Sequence, residues 1–251
     1  MKKGFYYIVA LLTVLLLWSC STKKNTKASR FYHAFTTRYN IYFNGKQAFD
    51  EALKSQQDGY KENYYDRIYM YPISAQPKDK AEPGGPFDRT IEKSNKAIKL
   101  HSIKAKPAKK PGWRNNPKLR AIQEQEEYNP FLKNSWLIMG QAQFYNADFL
   151  QASATFSYIA RHYAKDEEVV AEARLWQARC YSEMGWFYES EDILDKMNKN
   201  GIPASVLKQY AAVYADYLIK NGQFEDAIPY LKTAIKAEKN RKQRTLSLIH
   251  I

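Results

Sequence analysis

Three segments of the chain share one short pattern, and its spacing constrains the fold more than any other feature of the sequence. In each segment a small residue is followed two positions later by Phe, three positions further by Ala or Ser, and four positions further by a large apolar residue. The segments begin at Ala147, Gly185 and Gly222, and their Ala or Ser positions are 38 and 37 residues apart. A repeat of this length indicates stacked units that bury their apolar faces against one another.

Each segment follows a stretch with the apolar spacing of an α-helix, so each unit is predicted to be a helix, a tight turn and a second helix. The small residue allows the turn, the Phe fills the gap between the helices, and Ala or Ser lets the two backbones approach closely. This pattern resembles the tetratricopeptide repeat (TPR), although its period exceeds the usual one. The positions assigned to repeat packing are Trp136, Gly140, Phe149, Ala152, Phe156, Gly185, Phe187, Ser190, Gly222, Phe224 and Ala227.

The sequence therefore predicts an all-α chain, a TPR-like α-solenoid of three degenerate repeats over residues 133–240, preceded by a helical hairpin and a basic linker. Only 10 Gly and 10 Pro occur in 251 residues, too few for the turns of an all-β chain. Helices are expected at 133–146, 148–164, 167–184, 187–199, 204–220 and 223–240. Pro229 is expected in the first turn or so of the last helix, where its missing N–H costs little. An unrelated helical bundle is the alternative.

Residues 30–132 are predicted to form an N-terminal helical region with loops rich in Pro and Lys. An aromatic stripe occupies one helical face, at Phe31, Phe35, Tyr39 and Tyr42. We expect it to pack in the core rather than to stack on a cofactor. Because Asn44-Gly45 should break the helix, residues 30–59 are predicted to be a hairpin that caps the N-terminal end of the solenoid. Residues 64–72 should be extended, since Pro72 disfavours helix at the residue before it.

Positive charge is concentrated in one stretch of the chain. The formal net charge of +13 divides into +5 for residues 1–88, +10 for 89–120 and −2 for 121–251. Because the excess is local, the folded body is not basic as a nucleic-acid-binding domain would be. We predict a patch for acidic protein surfaces or anionic lipid head groups, with a merely solvated linker as the alternative. The patch residues are Lys104, Lys106, Lys109 and Lys110.

The first twenty residues have the form of a bacterial secretory signal. Lys2 and Lys3 precede an apolar run over 5–18, which is too short to cross a bilayer, and Ser19-Cys20 ends a lipobox-like sequence. We predict a signal peptide over 1–19, lipidation of Cys20, and a lipidated tether over 20–29. Ser21 is not the Asp that retains lipoproteins at an inner membrane, so we expect an outer-membrane anchor facing the periplasm. An ordinary signal peptide with a chance Cys is the alternative.

No motif for bond chemistry is present. The sequence contains no phosphate-binding loop, dinucleotide-binding turn, zinc-protease helix or nucleophile elbow, and its four His share no metal-ligand spacing. Cys180, the other thiol, lies on an apolar helical face and is expected to be buried and unreactive. We therefore predict a protein that is not an enzyme, with no cofactor, no metal and no small-molecule substrate.

Motif blocks outside the repeat pattern resemble the PorW/SprE lipoprotein family. The blocks are Ser21–Thr26, Tyr32–Gly45, Lys96–Lys104 and Tyr128–Leu132. The resemblance implies a TPR lipoprotein of the type IX secretion system and gliding motility machinery. Such a protein would link periplasmic ring or motor components to the outer-membrane translocon, and would bind no nucleic acid.

Members of that family are longer than 251 residues, so we expect this chain to be an N-terminal fragment. Residues 241–251 are expected to be a truncated or non-native tail. Two other lipoprotein classes remain as alternatives because they also combine an anchor with helical repeats. They are a SusD-like glycan-binding lipoprotein and a BamD-like outer-membrane assembly lipoprotein.

Overall fold

The computed structural model describes residues 21–61, 63–65, 68–75 and 84–237, and these contain helices and loops but no strand. The predictions for the signal peptide, for lipidation at Cys20 and for the tail at 241–251 lie outside the described residues. The helices, in chain order, are α1 (Lys27–Thr36), a π-helical segment (Thr37–Tyr42), α2 (Phe43–Gly59), a 3-10 turn (Pro72–Ala75), α3 (Asp88–His101), α4 (Pro117–Gln123), α5 (Leu132–Tyr145), α6 (Phe149–His162), α7 (Glu167–Glu183), α8 (Phe187–Asn200), α9 (Leu207–Lys220) and α10 (Phe224–Ala237).

The six helices from α5 to α10 form three consecutive pairs, which confirms the predicted TPR-like solenoid. Their ends differ from the predicted ends by at most three residues. Each pair also contacts the next, α6 with α7 and α8 with α9, so the units stack along the chain. The apolar faces of the helices are thereby covered by their own partners and, between the stacked units, by the neighbouring repeat.

The same turn closes all three pairs. Its small residue has a left-handed φ, 62° at Ala147, 75° at Gly185 and 80° at Gly222. The N–H of the next residue donates to the carbonyl oxygen five positions back, at 2.8–3.0 Å in each turn. This is a Schellman turn, in which a left-handed residue satisfies the last carbonyl groups of a helix. The small residue recurs because the turn requires this conformation.

Small residues also set the distance between the two helices of a pair. A Cβ added to Gly140 would lie 2.7 Å from the ring of Phe156, so these two helices touch at the glycine. Ser190 lies fully buried in the second repeat and donates its hydroxyl to the carbonyl oxygen of Ala178 at 3.0 Å. Ala152 and Ala227, at the equivalent positions, are also fully buried.

One prediction for the last repeat is wrong. Phe149 is buried and Phe187 packs against the ring of Tyr217 in the following repeat, at 6.2 Å between centroids, but Phe224 is 60% exposed. The described residues contain no helix after α10 that would give Phe224 an equivalent neighbour. Pro229 lies in the second turn of α10, which begins at Phe224, one residue after the predicted start.

The predicted hairpin over residues 30–59 is also wrong. Residues 27–59 form one continuous helical rod, in which the π-helical segment joins α1 to α2. Asn44 donates its side-chain N–H to the carbonyl oxygen of Asn40 at 2.7 Å, inside the rod. A Cβ added to Gly45 would lie 3.2 Å from the Cβ of Lys93 on α3. Gly45 therefore marks a close helix crossing and not a helix end.

The rod pairs with α3, and this pair stacks on the first repeat in the place predicted for the hairpin. Thr90 donates its hydroxyl to the carbonyl oxygen of Gly45 at 3.1 Å, and His33 meets His101 at 2.8 Å between Nδ1 atoms. The contact nearer the start of the rod, at His33, is made by the end of α3, and the later contact, at Gly45, is made by the beginning of α3. The two helices are therefore antiparallel. α3 then packs along α5.

The rod buries a face of small and polar residues, and its aromatic stripe faces outward. The buried face repeats every four residues, at Ser29, His33, Thr37, Ile41, Gly45 and Phe49. Phe31, Phe35 and Tyr39 are 72%, 53% and 57% exposed, so the prediction that they pack in the core is wrong. Tyr42 alone is half-buried, edge-on to Phe131 at 5.0 Å. The small-residue face was buried instead because it allows α3 to approach closely.

The paired histidines make the stability of this helix pair depend on pH. Burial, followed by the nearby His33, lowers the pKa of His101 to about 4, whereas an unfolded His titrates near 6.5. Between these values the unfolded chain binds a proton that the folded chain does not, so stability is lost as the pH falls from about 6.5 to 4. We expect a decrease of about 2 kcal/mol in the free energy of unfolding across this range.

Urea unfolding at a series of pH values measures this slope. The variant His101→Gln removes the titrating group and should flatten the curve between pH 4 and 6.5. An equally steep curve in that variant would assign the pH dependence to other groups.

Candidate functional site

The first helices of the three repeats, α5, α7 and α9, form a surface that is crossed by the chain's own residues 68–75. We call it the first-helix face. Met70 packs among residues of α7 and α9, and Ile73 packs among residues of α5 to α7. Ser74 donates its hydroxyl to Glu183 Oε1 at 2.8 Å. Residues 72–75 form a 3-10 turn here, and Ile73 and Ser74 in it are buried, so this stretch is not an exposed loop.

Arg179 lies at the centre of the first-helix face and is 8% exposed. Its guanidinium carbon lies 4.7 Å from the ring centroid of Tyr71, 4.7 Å from that of Phe144 and 4.3 Å from that of Trp176. The ring faces stabilise the buried cation. Its Nε and Nη2 atoms have no hydrogen-bond partner among the described residues. Sequence reasoning missed this residue, whose only signal is a charge on an otherwise apolar helical face.

A cavity of about 280 Å³ opens beside Arg179. Tyr71 and Trp176 form part of its wall, and Lys208 and Gln209 of α9 lie at its exposed rim. Arg179 and Lys208 both carry positive charge, and the described residues that line the cavity include no acid. The site is therefore suited to an acidic or aromatic side chain of a bound segment.

A buried ion network fixes the helices next to this cavity. Lys220 Nζ lies 2.8 Å from Glu183 Oε1 and 2.5 Å from Asp216 Oδ2, and the three side chains are at most 8% exposed. Burial raises the pKa of Asp216, and the nearby Lys220 only partly opposes that shift. Because Glu183 belongs to α7 and Lys220 to α9, the network joins the second repeat to the third.

The predicted basic patch lies elsewhere and belongs to an ordered loop. Lys104, Lys106, Lys109 and Lys110 are all exposed, and none lines the cavity at Arg179. The loop is held to the body by two hydrogen bonds to its carbonyl oxygens. Asn25 Nδ2 donates to Ala105 at 2.7 Å, and Gln123 Nε2 donates to Pro107 at 3.0 Å.

The described residues offer binding surfaces rather than reactive groups. Within 21–61, 63–65, 68–75 and 84–237, no cluster of three or more His, Cys, Asp or Glu could hold a metal ion. No helix in the same ranges is both long and apolar enough to cross a membrane. Cys180 is fully buried, and burial raises the pKa of its thiol. A buried neutral thiol is a poor nucleophile.

Comparison with known proteins agrees with the repeat assignment. A family model described as the SusR N-terminal TPR domain matches residues 143–250, which is less than half of the 251-residue chain. The matched span includes the turns at Gly185 and Gly222, and it continues past the described residues. No curated protein matches the chain. The chain thus contains a TPR-type domain, and repeat domains of this kind serve as protein–protein interaction scaffolds.

Proposed function

We propose that this chain is a periplasmic scaffold lipoprotein, anchored to the outer membrane at Cys20, that binds a protein partner on its first-helix face. The observation that carries the binding role is the buried Arg179 beside an open cavity, with its Nε and Nη2 atoms lacking a hydrogen-bond partner among the described residues. An arginine with free N–H groups in a low-dielectric site is a strong hydrogen-bond donor to carboxylates. The partner segment would therefore carry an acidic side chain next to an apolar one.

We further propose that the partner belongs to the type IX secretion system. Support comes from the motif blocks that resemble the PorW/SprE family, above all Tyr32–Gly45, because these residues lie outside the repeat pattern. A scaffold in that system would connect ring or motor components to the outer-membrane translocon. A TPR-type all-α fold is typically non-catalytic, and we propose no enzymatic activity and no cofactor.

Deletion of the gene tests this role. We expect cargo proteins with C-terminal sorting domains to remain inside the cell in the deletion strain, and a plasmid copy of the gene to restore their secretion. Normal secretion combined with loss of polysaccharide uptake would favour a SusD-like glycan-binding role. Normal secretion with defective outer-membrane protein assembly would favour a BamD-like role.

A further inference from the structure

We propose that the N-terminal end of the folded body lies directly on the membrane, with the exposed aromatic stripe of the rod inserted at the lipid interface. This inference rests on the proposed lipidation of Cys20 and adds a second, non-covalent membrane contact. The inserted row comprises Phe31, Phe35 and Tyr39 of the predicted stripe together with the exposed Phe43, and it leaves out the half-buried Tyr42. Below, the aromatic stripe denotes these four residues.

The residues that follow Cys20 are fixed to the body, so the predicted tether over 20–29 is not a free spacer. Ser29 donates its hydroxyl to the carbonyl oxygen of Ser21 at 3.1 Å, and Thr26 caps α1 by accepting the N–H of Ser29 at 3.0 Å. Asn25 is bonded to the basic loop at Ala105. Acyl chains on Cys20 would therefore hold this end of the body at the bilayer surface.

The aromatic stripe begins near this attachment point and runs along one side of the rod. Its members are four residues apart, so the stripe spans about 18 Å of helix. The rings of Phe31 and Phe35 are 6.0 Å apart, and those of Phe35 and Tyr39 are 4.8 Å apart. Phe43 is 61% exposed at its far end. A continuous exposed row of large rings indicates an interaction surface.

Basic residues precede the start of the stripe in the chain. Lys23, Lys24 and Lys27 are exposed just before it. Lys23 also shares a depression with Lys99 and Lys104, on α3 and on the basic loop.

Glu127 is the acidic residue that lines the same depression. Its carboxylate already accepts four hydrogen bonds. The donors are the Ser102 hydroxyl and the N–H groups of Ile103, Tyr128 and Asn129, at 2.5–3.0 Å. Because this carboxylate is engaged within the fold, the lysines remain available to an external anion.

This combination favours a lipid surface as the occupant. Aromatic rings are most stable at the boundary between head groups and acyl chains, and lysines attract anionic head groups. One acyl-anchored residue and one interfacial helix together hold a protein on a membrane more firmly than either alone. The basic patch predicted from the sequence would then bind the head-group phosphates next to the anchor.

Depth-dependent quenching in vesicles tests the inference. The full-length lipidated chain carrying Phe35→Cys is labelled with a nitrobenzoxadiazole probe and reconstituted in vesicles of phosphatidylethanolamine and phosphatidylglycerol. Lipids with a doxyl group near the top of the acyl chain should reduce the probe emission by about half, since interfacial helices insert only shallowly. The matched control is Tyr188→Cys, which replaces another exposed aromatic, on α8, and should not be quenched.

Equal quenching at the two sites, or none at residue 35, would overturn the inference. In a separate experiment, cross-linking of residue 35 to another protein would also overturn the inference, because the stripe would then be a protein interface. Mass spectrometry of the Cys20 peptide from the same sample tests lipidation separately. An acylated Cys20 with an unquenched probe leaves the anchor intact and removes only the membrane contact of the stripe.

Discussion

Replacing Lys220 with Met is expected to lower the free energy of unfolding by about 3–5 kcal/mol, the typical cost of breaking a buried ion pair. The variant leaves Glu183 and Asp216 without the cation that is bonded to both of them, and both are at most 4% exposed. Ser74 still donates to Glu183, but a neutral hydroxyl does not balance two carboxylates. Because the network joins α7 to α9, the third repeat should also separate from the second at lower urea concentrations.

The exposed pair formed by Lys196 and Asp192 provides the matched control. It has the same i, i+4 spacing as Lys220 and Asp216, but its side chains are 68% and 47% exposed. Lys196→Met should therefore change stability by less than about 1 kcal/mol. Urea unfolding followed by circular dichroism measures both variants. Similar losses in the two variants would contradict the assignment of Lys220 to a desolvated network.

Gly140→Ala is expected to cost about 2 kcal/mol, because the new methyl group would overlap the ring of Phe156. The ring has little freedom to move away. It is fully buried and stacks on Trp176 at 5.8 Å. The helices α5 and α6 would have to move apart at this point, which would widen the first repeat.

A double-mutant cycle identifies the cause of this loss. In a Phe156→Leu background, which removes the ring, adding Ala at position 140 should cost much less than it does in the native chain. Gly59→Ala serves as the control, because a Cβ added there meets nothing within 4 Å. An unchanged cost for Gly140→Ala in both backgrounds would show that the helix contact is not the reason for the glycine.

The repeats were predictable from the sequence because their signals are local. The turn residue, the Phe and the Ala or Ser follow one another within ten positions. Each is required by one feature of the helix pair: the turn, the gap between the helices, or the close approach of the two backbones. The left-handed φ at Gly185 and Gly222 and the burial of Ser190 are the physical basis of that pattern. Helix ends followed from the same spacing, and so they agree closely with the structure.

The N-terminal pair was harder to predict because its packing depends on a distant partner. Asn44-Gly45 resembles a turn when it is considered alone, yet α3 needs the missing Cβ of Gly45 to pack against the rod. The hydrophobicity of Phe31 and Phe35 led to the prediction that they are core residues. The small and polar face was buried instead, because close helix approach outweighed the burial of large rings at this position.

The candidate site was not visible in the sequence, because its parts come from three separate regions. Arg179 and Glu183 belong to α7, Lys220 belongs to α9, and Tyr71 belongs to a segment a hundred residues earlier. Spacing within one helix reveals charges at i and i+4, but it does not reveal that two helices and a loop enclose them. The cavity beside Arg179 exists only after the repeats have stacked.

Site-specific photo-crosslinking in living cells tests the central claim, that the first-helix face binds a secretion-system protein. A photoreactive amino acid is placed at Gln209, on the rim of the Arg179 cavity, and in a second strain at Tyr188 on α8. We expect a ring, motor or translocon component to be cross-linked at Gln209 but not at Tyr188, and this product to disappear when Lys208→Glu reverses the rim charge. Cross-linking of such a component at Tyr188 alone, or a Gln209 product unaffected by Lys208→Glu, would contradict the account.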